Sequence, residues 1–339
     1  MHAGKRYTLK EFVYWTRRDI YILIFIAVLP VTLFQLFKWQ WLTVPWVPIA
    51  LVGTAAAFLV GFRNTQTYNR LWEARQIYGA IVNTSRSLGI LVKDYIQGDA
   101  DNTRLRQLHQ QMIYRHIAWL TAMRYQLRES KLWENIKTSL SNAEYSTFYK
   151  IEEWDSKLDD ALVPFLSKEE LDYVLSKKNR ATHIISLQSK QLRELKEQGL
   201  IEPLNYVELE NIFVNLYEQQ GKCERIKNFP YPRQFATINQ MFVRLFISLI
   251  PFGTLSEFDK LVEKNGQWIV WMAIPFSVII SWVFIAMERV GESSENPFEG
   301  GANDVPITSM SRTIEIDLRE MLDEKDLPPA LGPVNSILM

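Results

Sequence analysis

Four stretches of this 339-residue chain carry almost no charge, and each is long enough to cross a lipid bilayer. Residues 20–37 (IYILIFIAVLPVTLFQLF), 44–62 (VPWVPIALVGTAAAFLVGF) and 268–287 (WIVWMAIPFSVIISWVFIAM) contain no Asp, Glu, Lys, Arg or His, and residues 235–255 contain one such side chain, Arg244. Inside hydrocarbon a backbone must satisfy its own polar groups, which a helix of about 20 residues does and an open strand or loop does not. Hydrophobic residues make up 47% of the chain while 22% is still charged, so the apolar content is gathered into these segments. The pattern predicts an all-α membrane protein with four transmembrane helices and a polar helical remainder. The first run is too long for a cleavable leader, and a second follows it almost at once.

The flanks set an orientation. Arg17 and Arg18 precede the first run, Arg63 and Arg70 follow the second, Lys227 and Arg233 precede the third and Arg289 follows the last. The two connecting loops hold only Lys38 in one, and Lys260 and Lys264 beside three acids in the other. Positive charge stays on the cytoplasmic side, so both termini and the long middle region are expected there. Trp39, Trp41, Trp46, Trp268 and Trp271 suit the opposite interface. The net charge is zero, with 38 basic and 38 acidic side chains, which argues against a nucleic-acid binder. Cys223 is the only cysteine, so no intramolecular disulfide or cysteine-based zinc site forms.

Four regions follow: residues 1–62 with the first two membrane helices, a helical cytosolic domain over 63–233, the third and fourth membrane helices over 234–287, and a cytosolic tail over 288–339. Within the middle region Leu71, Ile77, Ile81, Leu88 and Leu91 recur at helical spacing, as do Ile113, Ile117, Leu120 and Met123. Asp101 or Asn102 is a candidate helix cap, and Ser167 with Glu170 reads as a capping box opening a helix. Residues 205–219 (NYVELENIFVNLYEQ) form another amphipathic helix, and 228–233 (NFPYPR) a rigid break before the membrane.

Residues 58–75 (FLVGFRNTQTYNRLWEAR) pass from apolar to charged with no helix breaker after Gly61. The second membrane helix is therefore expected to continue into water as one rod. Thr54, Phe58 and Phe62 lie on one stripe of it, a turn apart. The small residues Ala55, Ala56, Ala57 and Gly61 are expected on the opposite, closely packed face.

FRNTQTYNRLWEAR (62–75), SRSLG (85–89), GKCERI (221–226), LIPFG (249–253), ENPFEGGANDVPI (295–307) and RTIEIDL (312–318) occur in the order found in bestrophins. Over essentially its whole length the chain resembles the bestrophin family of ion channels in its compact bacterial form. The resemblance implies a homopentamer in the bacterial inner membrane around one central pore. It places a narrow neck at Thr54, Phe58 and Phe62, and by a gapless count back from Cys223 a second, cytosolic aperture at Val207. Thr54 departs from the family's usual aliphatic residue and would make a wetter ring. The tail ENPFEGGANDVPI would pack on the neighbouring subunit. Animal members hold calcium in a clasp after the last membrane helix. Asn296 and Asp304 match that clasp, but Gly300 and Gly301 stand where acids are needed, so no calcium dependence and no cofactor are expected.

Aromatic edges are positive, so Phe58 and Phe62 suit anions, chiefly chloride. Some bacterial relatives pass cations with an aliphatic middle neck residue, and a cation-selective channel is the alternative. Arg244 either borders the ion path or is the buried partner of a carboxylate or helix break. His109 and His116, seven apart, suit a metal pair poorly. Glu152, Glu153, Asp155, Asp159 and Asp160 read as a solvated acidic face. No phosphate loop, zinc signature or nucleophile elbow is present, so no enzyme is expected. A secondary transporter would need inverted repeats, of which only one proline per span (Pro30, Pro48, Pro251, Pro275) gives a hint. A membrane scaffold without ion flux is the third class.

Overall fold

The computed structural model describes residues 1–97 and 102–339. Of the two cap candidates, Asp101 lies outside the described residues and Asn102 is the first residue of its helix. Among the described residues no strand ladder forms; two isolated bridges join His2 and Val334 to Ile337.

Helix α1 (Leu9–Phe37) opens on a reciprocal cap in which the Thr8 hydroxyl accepts from the Glu11 N–H and the Glu11 carboxylate accepts from the Thr8 N–H. That cap starts the helix well ahead of the first apolar run, on a mixed charged and aromatic stretch. Helix α2 (Trp46–Tyr95) is 50 residues long and does not break at the membrane edge. Pro48 sits in its first turn, where a backbone N–H has no intrahelical partner to lose. Helix α3 (Asn102–Arg128) turns back alongside. Four short helices follow, α4 (Leu140–Ser146), α5 (Glu152–Asp155), α6 (Leu158–Leu162) and α7 (Lys168–Leu175). The last of them carries the expected Ser167–Glu170 capping box. Helices α8 (Arg180–Glu197) and α9 (Pro203–Asn228) complete the polar body.

The chain re-enters the apolar layer through α10 (Arg233–Asp259), turns through α11 (Val262–Asn265), and returns by α12 (Ala273–Ser293). Helix α13 (Ile307–Met321) closes the fold. Among the described residues four helical segments are long and apolar enough to cross a membrane, and between 22% and 33% of each apolar stretch is buried inside the chain. Lipid or a neighbouring copy must cover the rest. Pro30 and Pro251 lie inside α1 and α10 without ending them, so the spans lack the broken helices a transporter reading asks for.

One core spans α2, α3, α8, α9 and the tail. It includes Tyr78, Ile81, Leu88, Trp119, Phe213 and Cys223, together with Phe298, Val305, Ile307, Ile314 and Leu318. The segment after α12 joins this core through its own chain. Residues 296–318 bury their apolar side in their own chain, and Leu318 and Met321 fill the space that Gly89 leaves open. Glu153 corrects the acidic face read from the sequence. It is buried, not part of a solvated acidic face, because the Arg124 guanidinium lies 2.8 Å from it and the Thr308 hydroxyl donates to it. His116 is also buried, hydrogen-bonded to Ser85 and stacked on Trp119, and desolvation pushes its pKa down to about 3.

Candidate functional site

The buried side of α2 recurs every three or four residues from Ile49 through Gly53, Ala56, Val60, Arg63 and Thr67 to Leu71, Ala74 and beyond. A straight helix with this period keeps one face inward along its whole length. Thr54, Phe58 and Phe62 fall on the other side. Phe58 is 73% exposed and Phe62 43%, the latter brushed by the ring of Phe235 at 6.3 Å between centroids. Large aromatic side chains left uncovered at successive turns of a rigid helix mark a surface meant for something outside the chain. The Thr54 hydroxyl donates to the Ala50 carbonyl at 2.9 Å, so its proton is used within the helix and its oxygen remains free to accept.

The small residues do not lie where the sequence suggested. Only Ala56 is on the packed side; Ala55, Ala57 and Gly61 are exposed, and nothing approaches Gly61 within 4 Å of an added Cβ. The close approach is at Gly53, where a Cβ would sit 2.5 Å from the Phe246 ring of α10.

Directly below Phe62 the helix is clamped. Arg63, 4% exposed, donates to Glu288 at 2.7 Å and to Glu295 at 2.8 Å. Arg233, at the start of α10, reaches the other Glu295 oxygen at 3.0 Å. Asn64 donates to the Met287 carbonyl at 3.1 Å. Two arginines and two carboxylates thus tie α2, just past its apolar run, to the start of α10 and the end of α12, and each buried charge has an opposite partner. Sequence reasoning used Arg63 and Arg233 only as orientation signals. The legible clue was that acids follow the last apolar run at the depth where arginines flank the second and third.

Val207 lies on the first turns of α9 and is 53% exposed. Asn296 and Asp304 are buried beyond α12 and engaged with their own segment. Asn296 donates to Glu299 at 3.0 Å, while Asp304 accepts the Gly300 and Gly301 N–H groups at 2.7 and 2.8 Å and faces Arg128 at 3.8 Å. Gly300 has φ +112, which a side chain would strain. Burial pushes the Asp304 carboxyl up to about 6 against the pull of Arg128. Burial likewise raises Glu299 to about 8, although its oxygens accept the Ile136 N–H and the Asn296 amide. Arg244 is exposed on α10, not the buried partner of a carboxylate.

Such an arrangement defines a multi-pass, all-helical membrane protein whose second span is a rigid post with an uncovered aromatic face. The chain belongs to the bacterial/fungal bestrophin family, whose sequence profile it matches over residues 16–320. It is 28% identical over 285 residues to the voltage-dependent anion channel-forming protein YneE of Salmonella typhi, covering 83% of this chain and 78% of that one. The protein of the same name from Escherichia coli K12 is 26% identical over 287 residues, covering 84% and 80%. The fold is similar to the crystal structure of a bacterial bestrophin homolog from Klebsiella pneumoniae, with a TM-score of 0.74 and 23% identity over 91% of this chain and 99% of that one.

Proposed function

We propose that the chain is one subunit of a homopentameric channel that passes anions, chiefly chloride, across a bacterial inner membrane, with its helical body and both termini in the cytoplasm. The observation that carries this is the uncovered Thr54, Phe58 and Phe62 stripe on a helix clamped immediately below it by Arg63. Five copies of α2 around an axis would turn that stripe into a neck of one threonine and two phenylalanine rings. Ring edges attract anions weakly enough to release them, and an apolar collar limits flow by dewetting. Membership of the bestrophin family and the likeness to the anion channel-forming YneE proteins support the same reading. Val207 would form the second constriction. The tail segment ENPFEGGANDVPI would meet the neighbouring subunit, and the exposed stretch 329–336 offers further surface for it.

The test is a planar bilayer holding the purified protein under a KCl gradient. A reversal potential near the chloride equilibrium value is expected. One near the potassium value overturns the selectivity, and silence across many fusions overturns the channel. Chelating calcium in the same chamber should leave the current unchanged, because Asn296 and Asp304 are already engaged with Glu299, two glycine N–H groups and Arg128.

A further inference from the structure

Arg244 is the one charged residue inside the four apolar runs, and it sits on an exposed face of α10; its carbonyl accepts from the Ser248 hydroxyl, while its guanidinium has no hydrogen-bond or ion-pair partner among the described residues. Its depth follows from the packing of α10 against α2, which run antiparallel. The Val44 N–H meets the Phe252 carbonyl, Gly53 meets Phe246, and Phe62 meets Phe235. Between those pairs Arg244 is level with Thr54 and Ala55, a turn from Phe58. Along the helix it is about 16 Å from Arg233 and farther from Asp259, too deep for its head to reach either surface.

A charge at that depth costs several kcal/mol unless something compensates it. The chain offers no carboxylate there. Asp19 is held by Arg289 at 3.0 Å, Glu288 by Arg63 at 2.7 Å, and both lie at the inner edge. A second copy has the same sequence and brings none either. Thr237, Gln240 and Ser248 share the Arg244 side of α10, beside the exposed apolar Met241 and Leu245, so a polar stripe runs through an otherwise apolar surface there.

We propose that Arg244 is a selectivity-determining residue, one of five positive charges set behind the Thr54–Phe58 level whose field, little screened in the membrane, favours anions in the neck. It rests on the pentameric-channel reading above. The aromatic neck then sets width and hydration, while Arg244 sets the sign of the permeant ion. A charge outside the water column acts on a passing ion through the low-dielectric wall, where attraction is stronger than in water.

The experiment is the reversal potential of wild type, Arg244→Lys, Arg244→Gln and Arg244→Glu in the same KCl gradient. The wild-type value tests the anion-channel reading; the shifts between variants test the role of Arg244. Expected is a chloride-to-potassium permeability ratio unchanged in Arg244→Lys, lowered roughly threefold to tenfold in Arg244→Gln, and lowered further in Arg244→Glu. Arg244→Cys separates field from folding, because a channel already conducting is modified in place by a cationic or an anionic thiol reagent while Cys223 stays buried. The cationic adduct should restore anion preference and the anionic one reverse it. Equal reversal potentials in Arg244→Gln and wild type, a loss of preference in Arg244→Lys, or adducts of opposite charge acting alike would each overturn the proposal.

Discussion

Glu299 shows how a single side chain sets the behaviour of the segment after α12. Its carboxyl is 6% exposed, and burial raises its pKa from 4.5 to about 8. A carboxyl raised by folding holds its proton more tightly in the native state. Its contribution to stability is therefore complete below 4.5 and is lost as the pH climbs through about 8. Asp304, raised from 3.8 to about 6, acts in the same direction over a lower window. The melting temperature of the solubilised protein should fall by a few degrees between about pH 5 and about pH 8.5, and Glu299→Gln should flatten that slope. Equal slopes in the two proteins would mean that Glu299 is solvated. None of this is legible in ENPFEGGANDVPI, because the environment that desolvates Glu299 includes the Ile136 backbone, 163 residues away. The same holds for Arg63, whose partners lie 225 and 232 residues along the chain. The charges were visible, but their pairing was a property of the fold.

At the scale of the element, what reads well is what is local. The Ser167–Glu170 box announced α7, and the missing breaker after Gly61 announced that α2 would run on. Thr8 and Glu11 form the same kind of box, yet the apolar run begins only at residue 20, so hydropathy alone starts α1 too late. The packing of one span on another is not local. Four small residues on α2 looked equivalent, and Gly53, outside that set, is the one that α10 requires. Gly53→Ala should destabilise the α2–α10 pair by about 1–3 kcal/mol, since its methyl would overlap the Phe246 ring. Adding Phe246→Ala removes the obstacle and should recover part of the loss. Gly61→Ala, in open space, should melt as wild type does. A Gly53→Ala protein as stable as wild type would show that Phe246 swings aside freely.

Over the whole molecule α2 is the common axis of both expected constrictions. Its inner half runs antiparallel to α9. Arg70 holds the Ile226 carbonyl at one end, and the Gln97 N–H donates to the Leu200 carbonyl at 3.0 Å at the other. Val207 therefore stands near the level of Ile90, roughly 40 Å beyond Phe62 along the rod. Two narrow places that far apart on one water-filled path act as resistances in series, and residues at that distance with no shared partner behave independently. Phe58→Ala should lower the resistance of the open channel by removing part of the neck. Val207→Ala should lower it separately and change the order of permeability among anions. In the double variant the two decrements in resistance should add, with the permeability order of Val207→Ala alone. If Val207→Ala changes neither quantity, the aperture lies at another residue. If the decrements fail to add while each single variant has its effect, the neck and aperture are mechanically linked, and the rod that joins them transmits movement as well as fixing distance.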